Sequence, residues 1–398
     1  MSNPEKSKFP PPTEVPTQEG PHGIRYDFNQ GFRLLLPVFE TERWHIKVWD
    51  ADAGTMVSDR DYKGGPLNST KRYFIRFGME IKLDDQVVFE HIYDARDHEV
   101  LILFPEGTIG DTVAWMAYAT TFAERHGCQL TLRVTEKTIP LFAQAYPSIH
   151  FCFGEDECRV ESKYATYYVG LFGDDRERKW NPVDYKITNL AHIAGYILGF
   201  VNEDVGLPKI TTEPSERPIA DKYVCIAAQS TAGAKMWLNP YGWMQTVRQL
   251  KHDGYRVICI DESIASGDAI TWNFAPPGVE DETGSRPLLE RVRWLTHCEL
   301  FIGLSSGLSW LAWALGKPVV LISGFTHPST EFYTPYRVIN LHACNSCWNE
   351  HQFPGTDFLW CPRHKGTPRH FECSHSISSH HVMRLVRTIP GYQGKPEA

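Results

Sequence analysis

No apolar run in this 398-residue chain approaches the roughly 20 residues that a membrane-spanning helix needs. Basic residues are in deficit: the net charge is −8, which excludes a global attraction to nucleic acid or to anionic membrane surfaces. The opening stretch, MSNPEKSKFPPPTEVPTQEG, holds charge and proline but no apolar segment of the kind a secretory signal carries. Residues 1–22 are therefore expected to be a disordered arm, and the chain to be cytoplasmic. There is no internal repeat, and no low-complexity tract beyond that arm. No G-x-x-x-x-G-K-[ST] phosphate loop occurs, which disfavours an ordinary P-loop kinase. What remains is apolar enough, at 42% hydrophobic and 13% aromatic, to bury large cores in two or three globular domains.

Four of the ten cysteines fall late in the chain as C-x2-C-x13-C-x11-C, at Cys344, Cys347, Cys361 and Cys373. Two thiolates separated by two residues can turn onto one metal ion, and two more from a following loop complete a tetrahedral site. The alternatives are two disulfides, or four thiols that merely lie near one another. A cytoplasmic setting disfavours disulfides. The other six cysteines show no such clustering. Four thiolates saturate a tetrahedral ion and leave no open position for water, so the site reads as structural, a staple for the loop-rich segment 342–375. By donor chemistry zinc ranks first and iron second.

Residues 23–93 read as β-rich. GFRLLLPVFE, RWHIKVWDAD, KRYFIRFGMEIKL and QVVFEHIYD are short β-branched and aromatic runs broken by turn residues. The pattern then changes to LILF, a helical stretch TVAWMAYATTFAERHG and a strand QLTLRV, a βαβ unit implying a parallel sheet. After the proline-bearing stretch 207–221, strands YVCIAA, YRVICID, ELFIGL and KPVVLISG alternate with helices NPYGWMQTVRQLKHDG, RPLLERVRWLTHC and SSGLSWLAWALG. The expected organisation is an arm (1–22), a β-rich domain (23–98), one Rossmann-like half (99–206) and a second (207–398) containing the four-cysteine segment. A cleft between such halves, at the carboxyl ends of strands, is where a ligand binds.

Three strand-to-helix turns face that expected cleft. In Glu106-Gly107-Thr108-Ile109-Gly110-Asp111, glycines admit close backbone approach and free helix N–H groups favour an anion. Asp111 there can take a proton from an acceptor hydroxyl, or it is simply a helix cap. In Gln229-Ser230-Thr231-Ala232-Gly233-Ala234-Lys235, small residues and one cation suit a diphosphate, with Lys235 neutralising a leaving group; the bland reading is a solvated loop lysine. Gly303-Leu304-Ser305-Ser306-Gly307 again offers N–H groups to an anion. Asp261, after the strand YRVICID, can hold ribose or nucleotide hydroxyls or end the strand in solvent. Trp310, Leu311 and Trp313, at helical spacing, read as core.

The stretches EGTIGDTVAWM, AAQSTAGAKMWLNPYGW, GLSSGLSWLAWALGKPVVLISGF and CNSC…C…C together resemble the bacterial autotransporter heptosyltransferase family over nearly the whole chain. The resemblance implies an α/β chain of GT-B glycosyltransferase type, with two Rossmann-like domains, a β-rich N-terminal domain and a C-terminal cysteine-bound iron. It implies inverting transfer of heptose from ADP-heptose to serine hydroxyls of an autotransporter adhesin, in the cytoplasm. Motif by motif, Asp111 would be the general base and Lys235 would hold the donor diphosphate beside Gln229 and Thr231. Thr108, Ile109 and Gly110 would approach the sugar, while Asp261, Ser305, Ser306 and Gly307 would line the nucleotide side. The family also implies one ferric iron (Fe3+) per subunit on Cys344, Cys347, Cys361 and Cys373, with zinc the alternative, and a homododecamer. The related lipopolysaccharide enzymes typically carry an acidic residue and then a histidine where this chain has Ser305-Ser306-Gly307-Leu308-Ser309-Trp310, which favours a protein acceptor over a lipid-linked sugar. Outside the enzyme class, the alternative is a non-catalytic, metal-stapled binding module, which would need neither Asp111 nor Lys235.

Overall fold

The computed structural model describes residues 10–105, 107–154, 158–212, 215–267, 272–353 and 358–395. Glu106 and residues 1–9 lie outside them. In the N-terminal half the strands His150–Cys152, Gln129–Arg133, Glu99–Leu103, Ala165–Tyr168 and Arg25–Asn29 lie side by side and parallel. Arg33–Leu36 and Gly65–Asn68 extend the same sheet antiparallel. The boundary expected near residue 98 thus falls between strands of one sheet. Leu101, Ile102 and Leu103 are fully buried, as an uninterrupted apolar run in a parallel sheet covered on both faces should be.

The strands Thr55–Tyr62, Trp44–Asp50, Phe77–Leu83 and Gln86–Ile92 form a separate antiparallel sheet. In Trp44–Asp50 the residues Trp44, Ile46 and Val48 are buried and their neighbours only partly so, the period of two that gives a strand one apolar face.

The C-terminal half is a six-stranded parallel sheet ordered Glu280–Asp281, Arg256–Cys259, Tyr223–Ile226, Phe301–Leu304, Val319–Ile322, Arg337–Val338. In chain order these are the third, second, first, fourth, fifth and sixth strands of the half, leaving aside the hairpin of Ala265–Gly267 with Trp272–Phe274. That is the doubly wound order, with its direction reversing between Tyr223–Ile226 and Phe301–Leu304; ligands of such sheets enter at that switch point. Both halves contribute to a shared hydrophobic core that includes Val113, Trp115, Trp310, Leu311 and Phe332, and the C-terminal half holds a second one around Val224, Trp243 and Val382.

Residues 10–22, part of the stretch expected as a disordered arm, are docked. Gln18–Glu19 pairs with Tyr26 and Arg25, and the Thr17 N–H donates to the Asp27 carboxylate at 2.9 Å. Asp27 is fully buried, and a buried carboxylate requires donors; the arm supplies one and Arg33 another, at 3.4 Å. Composition alone does not reveal that demand. A second difference is a disulfide between Cys152 and Cys158, both buried beside Leu101, Leu103 and Tyr168, although the expected cytoplasmic setting disfavours disulfides. Among the described residues no helix is long and apolar enough to cross a membrane.

Candidate active site

The helix Ile109–His126 opens with Thr108 as its cap, the Thr108 Oγ1 accepting from the Asp111 N–H at 3.4 Å. It ends at Gly127 with φ of 60°, a left-handed position that glycine occupies without strain. Thr108 is the cap residue, and the Asp111 carboxylate in the first turn accepts back from Thr108, so Asp111 shares in the capping and that reading stands beside the general-base one. Asp111 is half-buried. Loss of water raises its pKa, while the Lys235 charge and hydrogen bonding from Thr108 pull it back down. A carboxylate held between those influences stays basic while shielded from solvent.

Lys235 comes from the other half, at the end of a short 3-10 turn Gly233–Lys235. Its charge is felt at Asp111, so the two side chains lie near one another. Close contact of the glycine turns brings the halves together there. A Cβ on Gly110 would sit 3.0 Å from Trp310 Cδ1 and 3.6 Å from Gly307 Cα, and one on Gly307 would sit 2.8 Å from Ile109 Cβ and 3.2 Å from the Gly110 nitrogen. The starts of Ile109–His126 and Gly307–Ala314 therefore abut, and their free N–H groups favour one anionic ligand.

The remaining expected site residues divide into two groups. Thr108 and Thr231 are exposed, and Ile109 and Ser306 half-buried, so these can face a ligand. Gln229, Asp261 and Ser305 are buried and occupied within the protein. The Asp261 carboxylate accepts from the Ala228 N–H at 2.7 Å and the Gln229 N–H at 3.2 Å, and burial pushes its pKa up to about 6. The Gln229 amide donates to Ser263 O at 2.7 Å and accepts from the Ser263 hydroxyl at 3.2 Å. Ser305 donates to Glu331, which also accepts from Thr326 and from Arg337, each at 2.5 Å.

Sequence reading missed the partners that hold these turns. Buried Arg291 donates to Asp261 O at 2.9 Å and Gly284 O at 2.7 Å, and also to Glu282 O, tying two loop segments at the carboxyl edge of the sheet. Glu331 and Arg337 do the same behind Ser305. Neither arginine belongs to a motif; a basic residue inside an otherwise amphipathic helix, as in RPLLERVRWL, is the one signal that pointed to Arg291.

Cys344, Cys347, Cys361 and Cys373 line one cavity of about 10 Å³, together with Ala234 and Phe325. None is in a disulfide. That volume is on the order of one water-sized sphere, and four thiols are a donor set of the kind a tetrahedral ion takes. Burial pushes the Cys347 and Cys373 thiols up to about 12, so ionising them together calls for a bound cation. His364 and Glu372 also bring ligand atoms within 4.8 Å of that of Cys344. Glu372 is already engaged by Arg369 at 2.6 and 2.7 Å and by the Cys344 N–H at 2.8 Å, which leaves His364 and the thiols as available donors.

The family described as glycosyltransferase TibC, N-terminal domain, matches residues 20–85, and glycosyltransferase family 9 (heptosyltransferase) matches residues 201–359. The autotransporter heptosyltransferase Aah of Escherichia coli is 46% identical, the match covering 96% of this chain and 97% of Aah. The inactive autotransporter heptosyltransferase BimC of Burkholderia thailandensis is 40% identical, covering 96% and 90%. The crystal structure of the iron-containing dodecameric glycosyltransferase TibC from enterotoxigenic E. coli superposes with a TM-score of 0.86 at 44% identity, covering 95% of this chain and 98% of that one. TibC in complex with ADP-D-beta-D-heptose gives 0.87 at 43%, with the same coverage. At this identity and coverage the chain belongs to the autotransporter heptosyltransferase family and is a glycosyltransferase of GT-B architecture.

Proposed function

We propose that this chain transfers heptose from ADP-heptose to serine hydroxyls of an autotransporter adhesin, in the cytoplasm and with inversion at the anomeric carbon. The observation that supports the reading is that the Lys235 charge acts on Asp111, beside the place where two helix starts abut. Asp111 takes the proton of the serine hydroxyl. The serine oxygen forms a bond to the anomeric carbon as the bond to ADP breaks on the opposite face. The negative charge leaving with ADP meets Lys235 and the N–H groups of the helix starts, an arrangement built before the reaction begins. Thr108, Ile109 and Gly110 lie toward the sugar, Thr231 beside the diphosphate, and Ser306 and Gly307 on the nucleotide side. Gln229, Asp261 and Ser305 act from behind, by fixing the turns.

The metal of this reading is iron, which TibC contains, held by the four cysteines, with zinc as the alternative. Bound there, the metal supplies four bonds that close the segment and takes no part in transfer. A dodecamer like that of TibC is part of the same reading.

A non-catalytic role is the second reading, favoured by 40% identity to the inactive BimC. Asp111 and Lys235 discriminate the two. With purified protein, ADP-heptose and an acceptor fragment, Asp111→Asn should retain donor binding and lose transfer by about 100-fold or more. Full activity in that variant would remove Asp111 from the mechanism, and no transfer by the parent protein would favour the non-catalytic reading.

A further inference from the structure

Lys186 has no part in the transfer step, yet it is 4% exposed and comes from the N-terminal half. Its amine lies 4.7 Å from the ring centroid of Trp348, 5.5 Å from that of Phe358 and 5.6 Å from that of Tyr185. It donates to Phe353 O at 3.3 Å. Trp348, Phe353 and Phe358 all belong to the four-cysteine segment. A buried ammonium boxed by aromatic faces and a carbonyl is a strong cation–π contact, because little water competes. Its neighbours lock the same seam: Asn349 donates to Lys186 O at 2.6 Å and His351 lies 3.3 Å from Asp184.

The same segment also grips the turn that carries Lys235. The Ala234 N–H donates to Phe358 O at 2.9 Å, and Ala234 lines the cysteine cavity. Ser374, next to Cys373, donates to Met236 O and accepts from the Leu238 N–H, both at 2.6 Å. Phe358 is thus shared, its ring against Lys186 and its carbonyl on Ala234.

We propose that Lys186 is a positioning residue, the pin through which the four-cysteine segment holds the N-terminal half against the Lys235 turn. The metal then does more than stabilise its own loop. Loading the cysteine site fixes Phe358 and Trp348, and these fix Lys186 on one side and Lys235 on the other. An empty site loosens a seam between the halves as well as the segment itself.

Hydrogen exchange of the full chain, metal-loaded and after chelation, tests this directly. Metal removal should raise exchange by about tenfold or more at residues 184–190 of the N-terminal half as well as at 345–350. Unchanged protection at 184–190 would overturn the proposal. Lys186→Met keeps the aliphatic stem and removes the charge. It should retain the metal and bind ADP within about twofold, while exchange at 184–190 rises and kcat falls about tenfold at unchanged donor KM. Lys186→Arg, which restores a cation over the rings, should recover most of both. Wild-type exchange and kcat in Lys186→Met would overturn the pin, and so would loss of metal from that variant, which would make Lys186 part of the metal fold alone. The kinetic arm rests on the heptosyl-transfer reading, but the exchange arm does not. A chain that fails to turn over yet loosens at 184–190 on chelation contradicts the function and upholds the pin.

Discussion

Gly307 of the C-terminal half meets Ile109 of the N-terminal half with no room for a side chain, since a Cβ there would lie 2.8 Å from the Ile109 Cβ. The contact is between helix starts, and the Gly110 nitrogen lies 3.2 Å from the same added atom. Backbone, not a flexible side-chain end, is what would have to move. The approach of the two helix starts is therefore set by two glycines in two different halves.

Gly307→Ala should force the two helix starts apart. The cost expected for an added methyl in a tight contact is about 1–3 kcal/mol, seen as a lower unfolding midpoint, and transfer should fall because Asp111 and Lys235 separate. Urea unfolding and a transfer assay on the same preparation check both. An alanine variant with unchanged stability and rate would show that the contact does not set the cleft.

Asp261 gives the chain a pH dependence of definite sign. Burial holds its pKa near 6, against about 3.9 in an unfolded chain. Between those values the folded state binds more protons than the unfolded state, so stability falls as pH rises. Asp261 contributes stability that is fully present below about pH 4 and lost as pH passes 6. From pH 4 to 7 the parent should lose on the order of 3 kcal/mol relative to Asp261→Asn. Parallel stability profiles for the two proteins would contradict this.

The elements easiest to read from sequence were those whose two faces differ or are both apolar. Trp44–Asp50 alternates, and Tyr223–Ile226 and Val319–Ile322 are continuous apolar runs, buried throughout. Thr55–Tyr62 escaped because nearly every residue in it is exposed; it pairs along one edge by backbone bonds and leaves no hydrophobic signature. His150–Cys152 is too short, at three residues, to show a period. The site divided along similar lines. Asp111 and Lys235 sit in glycine-bearing turns whose composition announces a ligand. Asp261 looked equally suited, because a carboxylate at a strand end reads the same whether it faces the cleft or turns back onto the Ala228 and Gln229 amides. Arg291, Glu331 and Lys186 carry no motif at all. Their roles follow from carbonyls, hydroxyls and rings brought near by distant parts of the chain.

Cys344→Ser removes one thiol from a donor set of four. The variant should lose its metal, and its unfolding temperature should fall by roughly 4 °C or more. Metal analysis and a thermal scan check the two effects. Full metal occupancy in the variant would show that His364 or Glu372, near Cys344, completes the site instead.

Heptosyl transfer to an autotransporter, with Asp111 as the base, is the proposed reaction. Mass spectrometry of an adhesin co-expressed with this chain tests it most directly. With the parent protein and ADP-heptose available, the adhesin should gain one heptose mass per modified serine. With Asp111→Asn that gain should fall to background while the variant remains folded and metal-loaded. An adhesin of unchanged mass beside the parent protein, or one equally modified beside Asp111→Asn, would contradict the account.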